Sequence, residues 1–185
     1  GYDRSINHVR RGPALPARGS PRPAVPPLPS VLEVGDGWAR LATGCAIDLG
    51  GVGKGWLADR CAERFDNAAI SLGGDLRAQG GGPDAAGWVV SLCDGRLVTI
   101  RDAGVATSGT SGRRWPGGHH LIDPRTAVPA RTDIAAVSVV AASALLAEVL
   151  AKAACVMGSP AAGGWLPAHG SMCHAMLLTT RTHAA

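Results

Sequence analysis

Two glycine-rich segments, each with an acidic residue, constrain this chain more than any other feature. The first runs from Asp48 to Gly55 and reads Asp-Leu-Gly-Gly-Val-Gly-Lys-Gly, and the second is Ser-Leu-Gly-Gly-Asp at residues 71–75. Glycine permits tight turns and a close approach of the backbone to a neighbouring group. The first segment also carries Lys54, one of only two lysines in a chain with sixteen arginines. A compact ammonium suits a phosphate as a point charge, so the segment predicts an anion-binding loop.

Composition restricts the classes of protein to which the chain can belong. Apolar residues make up 46% of the 185 residues but aromatic residues only 4%, so the core must consist mainly of Ala, Val and Leu. No run of about 18 apolar residues occurs, and we predict no transmembrane segment. The five cysteines are widely spaced and form no Cys-x-x-Cys pair, which favours neither a disulfide framework nor a zinc site. The sequence leaves the cellular compartment open, whether cytoplasmic, membrane-associated or extracytoplasmic.

The net charge of +4 belongs to the first part of the chain. Residues 1–30 hold five arginines against one aspartate, whereas the remaining residues are balanced in charge. Seven of the thirteen prolines fall within residues 10–30. We therefore predict a Pro/Arg-rich lead segment over residues 1–30 and a folded domain over residues 31–185. Because the excess charge is not on the folded part, nucleic-acid binding is not expected.

The pattern of apolar residues and turn signals predicts an α+β fold. Ser143 is expected to cap a helix over Ala144–Met157 that Gly158 ends, and a second helix is expected over Trp56–Phe65. Strand signals are short, bounded by turn residues and without regular βαβ repetition. The predicted strands are Trp38–Ala42, Ala68–Leu72, Gly87–Cys93, Arg96–Arg101, Gly104–Thr107, His119–Asp123, Ile134–Val140 and Met172–Thr179.

The order strand, glycine loop and helix around Lys54 is typical of a phosphate cradle, in which loop amides and a helix N-terminus face an anion. The loop matches neither the P-loop pattern nor Gly-x-Gly-x-x-Gly, since Gly55 follows the lysine. A nucleoside-triphosphate enzyme or a Rossmann dehydrogenase is therefore poorly supported.

Four islands and one helix, in this order, carry a family resemblance. The islands are the Asp48–Gly55 loop, Ser71–Asp75, Ala-Thr-Ser-Gly at 106–109 and His-His-Leu-Ile-Asp-Pro-Arg-Thr at 119–126, and the helix covers residues 142–152. Together they resemble the FAD:protein FMN transferases, also called ApbE-type flavin transferases. The resemblance extends over nearly the whole chain and corresponds to the C-terminal two-thirds of a truncated family domain.

The resemblance implies a T-fold-like domain of mixed antiparallel sheets packed with a few helices. It also implies a magnesium-dependent reaction in which the FMN half of FAD becomes esterified to a Ser or Thr hydroxyl of an acceptor protein and AMP is released. FAD, Mg²⁺ and an acceptor protein with a flavinylation site are thus the expected substrate, cofactor and partner.

Roles for individual residues follow from the resemblance. His120 is the expected general base for the acceptor hydroxyl, and neutral imidazole suits proton transfer near neutral pH. Asp48, Lys54 and Ile122, together with Gly73, Gly74 and Asp75, are the expected FAD-binding residues. The Gly51 carbonyl and the Glu148 carboxylate are the expected magnesium ligands.

Simpler explanations exist for most of these residues. The glycines and Asp75 could serve only turns, His120 could be an ordinary strand histidine, and Asp123 could only shape the turn at Pro124. Glu148 and Lys152 are in the favoured order for an ion pair on a helix surface, which would need no metal.

The chain departs from the family pattern at four positions. Glu148 stands where the family usually has an aspartate. Lys152 stands at a position where the family usually has a threonine that can bind the metal, and a protonated lysine is a poor ligand. Our hypothesis is that Lys152 sits at the metal position and partly replaces the charge of the cation. Gly53 stands where alanine is common, and Ala127 stands where the family has glycine, which predicts strain if that residue needs a positive φ. These departures leave a catalytically impaired flavin-binding module as the alternative function.

Overall fold

The structure is a computed structural model that describes residues 26–178. The described residues form two compact units. The smaller unit comprises residues 26–48 and Arg114–Ala130, and the larger unit comprises Leu49–Arg113 and residues 131–178. Most of the predicted lead segment lies outside the described residues, as does the sequence start, so the boundary at residue 30 stays a prediction.

The described residues contain short strands and helices, numbered here in chain order. The helices are α1 (Leu28–Val31), α2 (Gly53–Ala62), α3 (Ala144–Met157) and α4 (Ser159–Ala168). The strands are β1 (Leu32–Gly35), β2 (Trp38–Leu41), β3 (Ala68–Leu72), β4 (Asp75–Gln79), β5 (Trp88–Ser91), β6 (Leu97–Ile100), β7 (Gly104–Gly109), β8 (Arg114–Trp115), β9 (Gly118–His119), β10 (Ile122–Asp123), β11 (Val128–Pro129), β12 (Ile134–Ala141) and β13 (Ser171–Leu178). Within residues 26–178, no helix has both the length and the apolar character needed to cross a bilayer.

A five-stranded antiparallel sheet forms the core of the larger unit, with the strand order β13-β12-β7-β4-β3. Because side chains alternate along a strand, β12 presents different residues to the two faces. Val140 belongs to the apolar cluster that also contains Leu92 and Ile100 from the β5–β6 region. On the other side, α3 packs across β7 and β12 through small residues such as Ala147 and Ala151, which are fully buried.

A carboxylate on α2 links this helix to the start of α3. Asp59 on α2 accepts hydrogen bonds from the backbone N–H groups of Ala144 (2.8 Å) and Leu145 (2.9 Å) at the start of α3. Ser143 caps the same helix end by accepting from the N–H of Leu146 at 3.1 Å. A negative charge at a helix N-terminus also interacts favourably with the helix dipole. The orientation of α3 relative to α2 is therefore fixed by polar contacts as well as by packing.

Most sequence predictions for the elements are confirmed. The helix over Ala144–Met157, its Ser143 cap and its end at Gly158 are as predicted. The predicted strands other than His119–Asp123 correspond to β2, β3, β5, β6, β7, β12 and β13, although Thr179 at the end of the last predicted strand lies outside the described residues. The strands β1, β4, β8 and β11 were not predicted from the sequence. The predicted helix after the glycine loop is α2, which begins earlier, at Gly53. All five cysteines are free, in agreement with the absence of a disulfide pattern.

Two predictions of local structure need correction. The strand expected over His119–Asp123 is divided into β9 and β10, because Leu121 turns into the interior and its carbonyl accepts from the N–H of Ala130 at 2.8 Å. Helix α4 was not predicted, because two glycines and Pro167 argue against a helix. It forms since it packs against α3 and β13 and buries Leu166 completely.

The smaller unit consists of paired short strands. β1 and β2 form an antiparallel hairpin, β8 pairs with β9, and β10 pairs with β11. Leu121 and Ala130 are its buried apolar residues, and Asp123 is buried with them. These pairs place the His119–Asp123 segment beside Val128–Ala130.

The absence of a side chain at Gly55 allows α2 to lie close to the start of α3. A Cβ at Gly55 would lie 2.6 Å from the carbonyl oxygen of Ala144, whereas a Cβ at Gly53, in the same helix, would meet nothing nearer than 4.0 Å. We expect Gly55→Ala to lower the free energy of unfolding by about 1–3 kcal/mol through overpacking. Gly53→Ala should be neutral or stabilise by up to about 1 kcal/mol, because alanine loses less backbone entropy on folding.

Urea unfolding followed by circular dichroism measures both variants. Alanine keeps the backbone N–H at residue 55, so the comparison isolates the added methyl group. Equal effects of the two substitutions would contradict the proposed close contact.

Candidate functional site

Lys54 is held between two buried carboxylates in the larger unit. Its ammonium donates hydrogen bonds to Asp75 Oδ2 and, at 2.6 Å, to Glu148 Oε1. The side chains of Asp75 and Glu148 are 4% and 2% exposed, whereas that of Lys54 is 40% exposed. Lys54, Asp75 and Glu148 are called the ion cluster below. It joins the first turn of α2, the start of β4 and the middle of α3.

The ion cluster fixes the protonation state of its lysine. Burial alone would lower the pKa of Lys54, but its hydrogen bonds and charge interactions with Asp75 and Glu148 outweigh this and raise the pKa above its ordinary value. Burial raises the pKa of the Asp75 carboxyl, against the opposing effect of Lys54. Lys54 is therefore a permanent cation at physiological pH, and its exposed part can face an anion.

Glu148 also closes the N-terminus of α2. Val52, the residue before the helix, offers no capping side chain, and the N–H of Gly55 instead donates to Glu148 Oε2 at 2.8 Å. The predicted phosphate cradle is thus only partly open, because this first-turn amide already faces a carboxylate. The sequence could not show this, since Glu148 lies 93 residues away in the chain.

The second glycine segment is a tight hairpin beside Lys54. Gly73 (φ +60°) and Gly74 (φ +98°) connect β3 to β4, and Leu72 pairs with Asp75. Positive φ at both central residues is the geometry of a type I′ turn, which glycine adopts most easily. A Cβ at Gly73 would lie 3.4 Å from Lys54 Cδ, so the turn also leaves room for the lysine stem. The turn explanation for these glycines is confirmed, and their role toward FAD stays a prediction.

Lys152, the second lysine, reaches the first glycine segment. Its ammonium donates to the carbonyl oxygen of Gly50 at 2.9 Å, and a Cβ at Gly51 would lie 2.9 Å from the same nitrogen. The alternative of an ion pair with Lys152 assumed that Glu148 lies on the helix surface, but the Glu148 carboxylate is buried and its oxygens accept from Lys54 and Gly55. Both lysines of the chain therefore lie at the same glycine loop, Lys54 as one of its residues and Lys152 as a donor to its backbone.

The oxygens around this loop do not fit a magnesium site well. Glu148 has both carboxylate oxygens engaged by N–H donors, Asp75 Oδ2 accepts from Lys54, and Gly50 accepts from Lys152. Mg²⁺ needs oxygen ligands at near-octahedral geometry. Among the described residues, no group of three or more His, Cys, Asp or Glu side chains could hold a metal ion. Gly51 and Glu148 as metal ligands stay predictions that the local hydrogen bonding does not favour.

The smaller unit distinguishes the two adjacent histidines. The N–H of Leu121 donates to His119 Nδ1 at 3.3 Å, and His119 Nε2 lies 3.0 Å from the carbonyl oxygen of Ala130. A neutral ring with its proton on Nε2 satisfies both contacts, and burial lowers the pKa of His119 below its ordinary value. His119 is thus committed to the backbone, which leaves His120 as the candidate base. His120 and Ile122 are each partly exposed.

Asp123 shapes the turn that follows. Its carboxylate accepts from the backbone N–H of Arg125 at 2.9 Å and from the Arg125 guanidinium at 2.8 Å, and the Arg125 hydrogen bond holds the pKa of Asp123 below its usual value. The N–H of Ala127 donates to the Asp123 carbonyl at 2.8 Å, and Ala127 has a φ of +55°. The expected strain at Ala127 is confirmed, because a residue with a Cβ is disfavoured in this region.

The predicted site residues therefore lie in both units. Lys54, Asp75, Glu148 and the two glycine turns belong to the larger unit, and the structure brings them together. Asp48, His120 and Ile122 belong to the smaller unit, and Asp48 is exposed at its boundary. A common site for the two groups stays a prediction.

Two residues with structural roles at this site were not identified from the sequence. Asp59 positions α3, and the Gly50 carbonyl holds Lys152. A signal existed for Asp59, since an acidic residue one turn before the end of an amphipathic helix can face a neighbouring helix N-terminus. No local signal exists for Gly50, whose partner lies 102 residues away.

Comparisons with known proteins agree on one family. The sequence model of the ApbE family matches residues 17–177. A FAD:protein FMN transferase of Treponema pallidum is 35% identical over 140 residues, covering 62% of this chain and 39% of that protein. Another from Chlamydia trachomatis is 31% identical over 119 residues, covering 58% of this chain and 38% of that protein. The chain thus spans about two-fifths of the length of these relatives.

Solved structures share the fold. The flavin transferase ApbE from Vibrio cholerae aligns with a TM-score of 0.69 at 24% identity, over 95% of this chain and 63% of that one, which establishes the fold. The ApbE protein from Thermotoga maritima aligns with a TM-score of 0.63 at 29% identity, over 76% and 51% of the two chains. These likenesses confirm the predicted α+β fold of the ApbE-type flavin transferases.

The ion cluster predicts unequal effects of removing its members. Lys54→Met leaves two buried carboxylates facing each other without a cation, whereas Glu148→Gln leaves the Lys54–Asp75 pair intact. We expect Lys54→Met to cost about 2–3 kcal/mol of unfolding free energy, a buried-pair value reduced for the partial exposure of Lys54. Glu148→Gln should cost about 1–2 kcal/mol, because the amide still accepts one hydrogen bond.

Urea unfolding between pH 5 and pH 8 distinguishes this charge effect from a packing effect. In Lys54→Met, burial still raises the pKa of Asp75 and the opposing effect of Lys54 is gone, so stability should be lost as pH rises and recover as pH falls. A loss that is the same at both pH values, or a larger loss for Glu148→Gln, would contradict the cluster as described.

Proposed function

The chain belongs to the ApbE family, and from this premise we propose that it takes part in the transfer of FMN from FAD to an acceptor protein. The relatives that carry the name FAD:protein FMN transferase support the reaction class. The observation that carries the proposal is the ion cluster, which holds a permanently charged lysine at a glycine turn. The partly exposed face of Lys54 suits the negative charge of a diphosphate.

The proposed reaction is a phosphoryl transfer. The oxygen of an acceptor Ser or Thr hydroxyl forms a bond to the phosphorus of the FMN half of FAD. The bond between that phosphorus and the bridging oxygen of the pyrophosphate breaks, and AMP leaves with the bridging oxygen. Negative charge develops on the phosphate oxygens during this step, and a fixed cation such as Lys54 stabilises it.

His120 is proposed to accept the proton of the acceptor hydroxyl. The support comes from its neighbour, because His119 uses both ring nitrogens to hold the backbone and is kept neutral by burial. His119 positions the segment, and His120 follows it directly in the sequence. Asp48, Ile122, Gly73, Gly74 and Asp75 are proposed to line the FAD site, in line with the resemblance. Asp75 would act through Lys54.

Magnesium is the expected cofactor of such a reaction, where a divalent cation would neutralise phosphate charge. Because the oxygens of Glu148, Asp75 and Gly50 already accept from N–H donors, these residues do not fit the ion. The proposed reaction therefore contains no step that depends on these residues as metal ligands.

A second candidate function is a flavin-binding module with little or no turnover. The position of Lys152 against Gly50 and Gly51 favours it, since an ammonium there supplies charge but no ligand oxygen. A transferase would release AMP, whereas a flavin-binding module would bind FAD and release no AMP. The two candidates share the same pocket residues.

The test is incubation of the protein with FAD, Mg²⁺ and an acceptor domain. We expect the acceptor to gain the mass of FMN with release of an equal amount of AMP. We expect His120→Asn to reduce the transfer rate at least about 100-fold, the usual contribution of a general base, while FAD binding stays within a few-fold.

His119→Gln is the matched control, and its effect should appear mainly in the free energy of unfolding. Transfer that is unaffected by His120→Asn would exclude the proposed base. FAD binding without AMP release in the wild type would favour the binding module, and no FAD binding at all would reject both functions.

A further inference from the structure

The two lysines of this chain are used in one place. Lys54 lies on the first turn of α2 and Lys152 on α3, one helical turn after Glu148, and both contact groups of the Gly50–Gly55 segment or its partners. Every other basic side chain that is not histidine is an arginine. Both ammoniums lie at loop oxygens or carboxylates, where a small cation would also be attracted.

Four oxygens near the loop already accept hydrogen bonds from these ammoniums or from one amide. The Lys54 ammonium donates to Asp75 Oδ2 and Glu148 Oε1. The N–H of Gly55 donates to Glu148 Oε2, and the Lys152 ammonium donates to the Gly50 carbonyl at 2.9 Å. An incoming cation would have to displace several charge-assisted hydrogen bonds, which are roughly twice as strong as neutral ones.

The charges of these side chains also oppose the binding of a cation at the loop. With all groups ionised, the ion cluster carries one net negative charge, so the ion cluster and the Lys152 ammonium taken together are neutral. A divalent cation added to this neutral group would create an excess of two positive charges. Without Lys152 the same cation would meet a surplus of negative charge and a Gly50 carbonyl without its ammonium donor. The positive charge of Lys152 therefore opposes the binding of a second cation at the loop.

We propose that the Lys152 ammonium replaces a divalent cation at the Gly50–Gly51 loop, so that this chain binds neither Mg²⁺ nor Mn²⁺ there. A consequence, which rests on the proposed function, is that FAD binding does not depend on a divalent cation. The lysine supplies a single positive charge and no Lewis-acid site. It therefore supports anion binding better than it supports turnover.

Titration of the whole chain with Mn²⁺ tests the metal directly, because bound and free Mn²⁺ differ in their electron paramagnetic resonance signal and Mn²⁺ favours the same oxygen ligands as Mg²⁺. The variants are Lys152→Thr, which offers an oxygen, and Lys152→Met, which removes the charge but keeps an apolar stem. Lys152→Arg keeps the charge. Arg60→Gln removes a charge from the last turn of α2, where Arg60 forms an exposed ion pair with Glu63.

We expect the wild type, Lys152→Arg and Arg60→Gln to bind Mn²⁺ with a Kd weaker than about 1 mM, and Lys152→Thr to bind at least about tenfold more tightly, because one positive charge near the ion is gone. Lys152→Met should show part of this gain and replaces Lys152→Thr in the comparison if the latter does not fold.

Two results would overturn the proposal. A wild type that binds Mn²⁺ more tightly than about 1 mM would show that the loop is open to the cation. A weakly binding wild type whose folded Lys152 variants bind no better would show that Lys152 is not what closes it.

FAD binding, followed by flavin fluorescence with and without EDTA, separates this inference from the proposed function. We expect the same Kd for the wild type under both conditions, whereas a Kd that weakens at least about tenfold in EDTA would count against the replacement. Absence of FAD binding under every condition would reject the proposed function, while the Mn²⁺ titration would still decide the role of Lys152.

Discussion

The contact of one lysine with two buried carboxylates is the constraint on which the larger unit depends. Asp75 and Glu148 lie on different elements and would repel each other in the interior, and Lys54 makes their proximity tolerable. The same contacts close the N-terminus of α2 through Gly55 and place the glycine hairpin against the lysine stem. The stability of this unit and the conformation of the loop thus depend on the same atoms, so a change to one affects the other.

The sequence predicts this fold well wherever the signal is local. The Ser143 cap and the glycine that ends α3 are decided within a few residues, and both are where they were expected. Helix α4 was not predicted, because its stability comes from packing on α3 and β13. This packing outweighs the low helix propensity of its glycines. The turn at Ala127 was expected to be strained, and its positive φ confirms it.

The sequence identified the residues of the candidate site, but it did not show which of them contact each other. Lys54, Asp75 and Glu148 were each identified, yet as separate contacts to FAD or metal, and not as one cluster. Spacing along the chain cannot show that Glu148 uses both oxygens on Lys54 and Gly55, since this depends on how α3 docks. The resemblance gave the position of Lys152 beside the loop, whereas only the coordinates give the Gly50 carbonyl as its acceptor.

The separation of Lys54 and Glu148 by 94 residues has a consequence for biosynthesis. A nascent chain that has emerged only as far as β7 contains the glycine loop, the lysine and Asp75, but not the acid that completes the arrangement. Until α3 leaves the ribosome, the first turn of α2 has neither its carboxylate cap nor its docking surface. The ion cluster is therefore complete only late in synthesis, and an intermediate that is still bound to the ribosome holds Lys54 with only one of its two carboxylate partners.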